Sequence, residues 1–348
     1  MGVRYQTPAQ GFVYTVVDDL ELTYLALITS ALVDEVWGTP LDAEATITSD
    51  LLGTGVNFAD GALFAVTGYA ELVFPKLATK PYTVNLHIVA PGYRTADVKV
   101  VVPAGSTLPF AYPTIAMRPL PVRLQGRVVK QSDRSAIDGA KISSTDPTVL
   151  LLRSPLYFDH AKLTTINAFS FLAAGPLRKL AAPVLNGSST IFLNNVAALG
   201  VTQTLQIGAD PLAELAVIST LGPGAGQVNL KTSLNSSFPH LTPVQQMTPT
   251  GPGPSVKLAR SSNAGDGLVV LNAGLPTDAI QVLDGAQTEF HLLNAISDSS
   301  GYYHVNGLAG VKSLKLQASA SGFTTSPPTQ WFLDYNNPVN VVDFRLKP

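Results

Sequence analysis

From Thr83 to Val89 the chain reads T-V-N-L-H-I-V, so Val84, Leu86 and Ile88 alternate with Asn85 and His87. A two-residue repeat of this kind predicts a strand with one buried face. His87 falls on the opposite, outward face. Short apolar and β-branched runs predict further strands at 12–17, 22–33, 43–48, 62–66, 70–74, 82–89, 96–102 and 114–118, and then at 124–130 and 138–143. Glycine and proline, 28 and 26 residues, are spread between these runs as turn formers. Ala90-Pro-Gly-Tyr93 has proline and glycine where a type II turn wants them. Sustained helical spacing occurs nowhere. The nearest approach, 159–174, is broken by Thr164, Thr165 and Ile166. The expected fold class is all-β.

The strand Leu124-Gln-Gly-Arg-Val-Val-Lys130 and Asp138-Gly-Ala-Lys-Ile-Ser143 look like the first half of a small sandwich. The second half arrives much later, as Ser297-Asp-Ser-Ser-Gly-Tyr-Tyr-His304, the run Ser313 to Phe323, and Val341-Val-Asp-Phe-Arg-Leu346. The first unit follows a similar plan. Asp60-Gly61 parallels Asp298 to Gly301, Gly92-Tyr93 parallels Gly322-Phe323, and Ile115 to Pro119 parallels Asp343 to Pro348. The expected organisation is an N-terminal arm at 1–12, a first sandwich at 13–120, and a second at 121–145 plus 297–348. An inserted β-domain occupies 146–296.

The residues Gly126, Val128, Val129, Gly139, Ala140, Ile142, Asp298, Gly301, Tyr302, Tyr303, Ala320, Gly322, Phe323, Phe344 and Leu346 carry a family likeness. Their order resembles the carboxypeptidase regulatory-like, or transthyretin-like, β-sandwich. The first unit departs from that pattern, having no glycine before its opening strand. The resemblance implies tandem transthyretin-like or Ig-like sandwiches that serve as accessory or adhesive modules without chemistry of their own.

The insertion repeats itself at about 179–218 and 257–291. Lys179-Leu-Ala-Ala, Gly187 to Leu193 and Gln203 to Gly208 match Lys257-Leu-Ala-Arg, Gly265 to Leu271 and Asp278 to Leu283. Val149 to Leu152 with His160 echoes Val228 to Leu230 with His240. This pattern resembles small β-barrel units of phage-tail and contractile-injection-system accessory proteins.

Charged residues are only 13% of the chain against 46% hydrophobic, with a formal net charge of −2. The absence of a basic block removes the footprint of a nucleic-acid binder. The longest apolar run, Tyr24 to Val33, has acidic flanks. It is too short for a membrane span and lacks the basic start of a signal peptide. The expected route is cytoplasmic synthesis without a signal peptide, compatible with a particle later released outside the cell. With no cysteine there is no disulfide, thiolate metal site or thiol catalysis.

Candidate chemistry is sparse. His87, His160, His240, His291 and His304 show no zinc spacing, although a distant pair could converge. His160 and His240 follow Phe158 and Phe238-Pro239 and are expected to end strands, bonding loop backbone. Asp298-Ser-Ser-Gly301 lacks the alternating carboxylates of a calcium loop and reads as a turn held by Asp298. Gly222-Pro-Gly-Ala-Gly226 and Gly251-Pro-Gly-Pro254 lack the context of a phosphate loop. Tyr302 and Tyr303 fall on opposite strand faces, so at least one belongs to the core. The aromatic contacts that remain as ligand or partner candidates are Trp331 and Tyr335 in Gln330 to Pro338, and Trp37.

No catalytic residue, cofactor site or metal site is expected. The preferred function is a non-enzymatic, protein-binding component of a large multi-copy assembly, such as a phage-tail-like or contractile injection particle. The alternative is a secreted or surface adhesion module that binds glycans.

Overall fold

The structure is a computed structural model, describing residues 4–6, 13–15, 24–41, 45–51, 54–60, 63–69 and 80–348. It is all-β: among the described residues the only helical turn is the 3-10 segment Gly285–Gln287. No helix of the described residues is long and apolar enough to cross a membrane. The chain divides into two compact units, 1–120 and 121–348.

In the first unit one sheet runs Ile115–Met117, Tyr24–Asp34, Leu63–Tyr69, Thr54–Asp60, and the other runs Thr46–Ser49, Tyr82–Val89, Ala96–Val102. The expected alternation holds in Tyr82–Val89: Val84, Leu86 and Ile88 are at most 1% exposed, while Asn85, His87 and Val89 face out. They pack with Leu27, Ile28, Leu32, Phe64, Val66, Val100 and Met117 in one core. Each such buried side chain contributes roughly 1.5–3 kcal/mol. The Ala90–Tyr93 turn closes with Tyr93 N donating to Ala90 O at 3.1 Å, and Gly92 adopts φ +78°. The strand Thr54–Asp60 was not among the expected ones. Of the expected arm, residues 4–6 pair with Val13–Thr15, whereas 1–3 and 7–12 lie outside the described residues, as does the strand expected at 70–74.

In the second unit Val122–Lys130 lies antiparallel to Tyr302–Leu308 and parallel to both Val339–Val341 and Phe344–Leu346. The switch between those last two strands falls at Gly126. A Cβ there would sit 1.8 Å from Val342 O, so the close backbone approach admits only glycine. The facing sheet runs Ala295–Ile296, Lys141–Ser144, Ser313–Ser319, Thr329–Phe332. Leu124, Val128, Ile142, Val305, Leu316, Phe344 and Leu346 fill the space between, with Tyr303 donating its hydroxyl to Val342 O at 2.7 Å. Leu151 and Leu268 enter the same core from residues 146–296.

Residues 146–296 carry two small cores built alike. Leu180, Ile191, Leu193, Leu205, Ile207, Ile218, Leu230, Leu234 and Val244 line one. Leu258, Val269, Leu271, Ile280, Val282, Leu293, Leu152, Leu156 and Ile166 line the other, position for position. The hydrogen bonds match as well. Lys179 N and Lys257 N each donate to the side-chain oxygen of an asparagine, Asn194 and Asn272, at 3.0 Å. Gly187 N and Gly265 N each donate at 2.8 Å, to Leu234 O and Leu156 O, with φ of +86° and +84°.

The second core takes its last strands from chain that precedes it in sequence: 149–167 stands where 227–245 stands in the first copy. The long strand Thr165–Lys179 therefore serves both copies, its start matching Pro243–Thr250 and its end matching Ser255–Lys257. Thr165–Lys179 and Pro243–Thr250 pair antiparallel, with Phe171 opposite its own counterpart Pro249. The pseudo-twofold axis passes through that pair. The echo expected around His160 shifts accordingly: His160 bonds Ser262 as Phe238 bonds Val184, so its counterpart is Phe238, not His240.

Candidate functional site

The two copies each open a strand with a glutamate, Glu214 in Glu214–Leu221 and Glu289 in Glu289–Leu292. The positions are equivalent. Glu214 pairs with Ile207 and Glu289 with Val282. Asn235 N donates to Glu214 Oε1 at 2.7 Å, as Tyr157 N donates to Glu289 Oε2 at 2.8 Å. Both glutamates are buried, 1% and 2% exposed.

Their surroundings differ. His160 Nε2 lies 2.6 Å from Glu289 Oε1, and His291 Nε2 lies 2.9 Å from Oε2. His160 Nδ1 meets Asp284 Oδ2 at 3.0 Å, and His291 Nδ1 meets Ser154 O at 3.0 Å. Burial alone would raise the Glu289 carboxyl, but the charge of His291 and the bonds from His160, His291 and the Tyr157 amide hold it down at about 2. Burial opposes a charged His160, yet its bonds to Glu289 and Asp284 win and raise it above its ordinary value.

Tyr157 joins the copies. Its ring stacks on His291 with centroids 5.5 Å apart, and its hydroxyl donates to Glu214 Oε1 at 2.5 Å. In the first copy Phe238 and Ala216 stand where His160 and His291 stand in the second. Glu214 Oε2 makes no hydrogen bond of good geometry. Burial pushes the Glu214 carboxyl up, and the Asn235 amide, the Tyr157 hydroxyl, the charge of His291 and a weak pull from the Ser236 amide only partly offset it.

Glu214 is one of the residues lining a cleft of about 420 Å³, with Arg153, Asn235, Asp298, Tyr302 and His304. Arg153 pairs with Asp210. Asp298 Oδ1 accepts from Ser300 N at 2.8 Å and Tyr302 N at 3.0 Å, so it holds its turn as expected. Tyr302 is half-buried, with its hydroxyl 2.6 Å from both Gln125 Oε1 and Arg123 Nη2. Burial and the charge of Arg123 lower His304.

His160 does bond loop backbone, its main chain exchanging hydrogen bonds with Ser262, while its ring lies between two carboxylates, which the sequence did not foretell. His240 is exposed, and His87 sits on the outer face against Asp97 at 2.6 Å. Trp331 and Tyr335 each pack, partly buried, against the second sandwich's core, with Tyr335 Oη donating to Val311 O at 2.9 Å. Trp37, in the first unit, is 43% exposed. Among the described residues no group of three or more His, Asp or Glu side chains is placed to hold a metal ion. Sequence reasoning missed the Glu214–Tyr157–Glu289 network. The available signal was a carboxylate opening a strand at the same place in both repeats.

No family model matches the chain, and no curated protein matches it. Among solved structures, the major pilin subunit of Bacillus cereus aligns over 92% of this chain and 98% of its own, at 7% identity and a TM-score of 0.23.

Proposed function

We propose that this chain is a non-enzymatic, protein-binding component of a large multi-copy assembly. One observation carries the reading: the stretch Leu172-Ala-Ala-Gly-Pro-Leu177 is uninterrupted apolar sequence held at the surface. Leu172 and Leu177 are each 62% exposed. A bulge between Ala174 and Arg178, with Gly175 at φ +63°, turns Pro176 and Leu177 outward. Pro249 is exposed and Met247 half-buried on the paired strand. A contiguous apolar surface of this kind marks a contact with another protein, whereas single exposed leucines need no explanation.

The buried histidines support the non-enzymatic part. Both nitrogens of His160 face carboxylates, and neither buried ring presents an open edge to a substrate. A phage-tail-like or contractile injection particle is the kind of assembly that the repeat's sequence resemblance points to. The glycan-binding alternative draws on Trp331 and Tyr335, whose packing against the sandwich core leaves them less to offer a sugar. Sedimentation of lysate from cells that make the protein tests the proposal. The chain should travel in a fast fraction at fixed stoichiometry, and Leu172→Asp with Leu177→Asp should move it to the slow fraction.

A further inference from the structure

We infer that the cleft lined by Glu214 binds a small organic cation carrying N–H donors, such as a primary ammonium or an imidazolium. The repeat itself shows what this carboxylate takes. At Glu289, two imidazole nitrogens supply donors at 2.6 and 2.9 Å. At Glu214 the same two places hold Phe238 and Ala216, and Oε2 makes no hydrogen bond of good geometry although the residue is 1% exposed. A buried carboxylate oxygen with no well-placed donor costs free energy that a bound donor recovers.

Glu214 also lines an opening. The cleft of about 420 Å³ reaches from Glu214 and Asn235 to Asp298, Tyr302 and His304 on the sandwich side. Its volume falls in the range of small-molecule sites. The local charge favours a cation. Glu214 and Asp298 are carboxylates, His304 is pushed toward its neutral form, Arg153 is paired with Asp210, and Arg123, which bonds the Tyr302 hydroxyl, stands outside the lining. The Tyr302 and His304 rings have centroids 6.0 Å apart; the Arg123 guanidinium lies over Tyr302, so it is the His304 ring that offers a face on which a cation's carbon frame can rest.

Titration calorimetry of the full chain with histamine tests the assignment. One-to-one binding is expected. Glu214→Gln keeps an acceptor for Tyr157 and Asn235 but removes the charge, and should weaken binding at least about tenfold. Leu212→Trp, on the exposed wall of the cleft, should weaken binding comparably while leaving the carboxylate in place. Tetramethylammonium, a cation without N–H, should not compete. The inference is overturned by no binding to the unaltered chain, by equal affinity in both variants, by competition from tetramethylammonium, or by calcium chloride displacing histamine.

Discussion

Glu214 and Glu289 occupy one position in two copies of a repeat, and Tyr157 touches both, through its hydroxyl at 2.5 Å and its amide at 2.8 Å. Only Glu289 has both oxygens in hydrogen bonds of good geometry. The duplication has kept the carboxylate while the donors around it have diverged. One copy now holds a closed charge network and the other an open cleft.

Removing Glu289 should be severe. Glu289→Ala leaves two buried imidazoles without their shared acceptor, and breaking a buried pair in this way costs roughly 3–5 kcal/mol. Glu214→Gln should stay within about 1 kcal/mol, since its remaining acceptor keeps both present donors. Urea unfolding of the two variants beside the unaltered chain measures the difference.

The network sets a pH window. The Glu289 carboxyl is depressed from 4.5 to about 2, so its contribution is complete above about 4.5 and is lost as pH falls toward about 2. His160 is raised above 6.5, so its contribution is complete below that value and fades as pH climbs through the raised one. Unfolding midpoints across a pH series should show a stability plateau between these limits. The acid limb should flatten in Glu289→Gln.

Gly126 and Gly92 should respond differently to alanine. At Gly126 the new Cβ meets Val342 O at 1.8 Å, a backbone atom that cannot move without parting two strands. A loss of about 3 kcal/mol or more is expected. At Gly92 the space is open and only φ +78° resists, which costs about 1–2 kcal/mol. Thermal melts of the two variants give the comparison.

Much of the architecture was legible because it is written locally. Val84, Leu86 and Ile88 show their strand's buried face by alternation alone. The glycine of Leu124 to Lys130 was visible as a motif residue, though its reason, Val342 O pressed against it, is not a local property. Thr54–Asp60 escaped because Gly55 interrupts its apolar pattern. Glu214 and Glu289 share a repeat position, but the rest of the network was not legible, because His160, Tyr157 and Asp284 come from segments distant in sequence. His160 reaches Glu289 and Asp284 only because strands from before and after the first copy close the second.

On the proposed function, the apolar stretch at the pseudo-twofold axis is an assembly surface. Sedimentation velocity of the chain recovered under native conditions, beside its Leu172→Asp, Leu177→Asp variant, tests this directly. A multi-chain species is expected for the unaltered protein and a lone, folded chain for the variant. A lone chain in both, or an unchanged assembly in the variant, would contradict it.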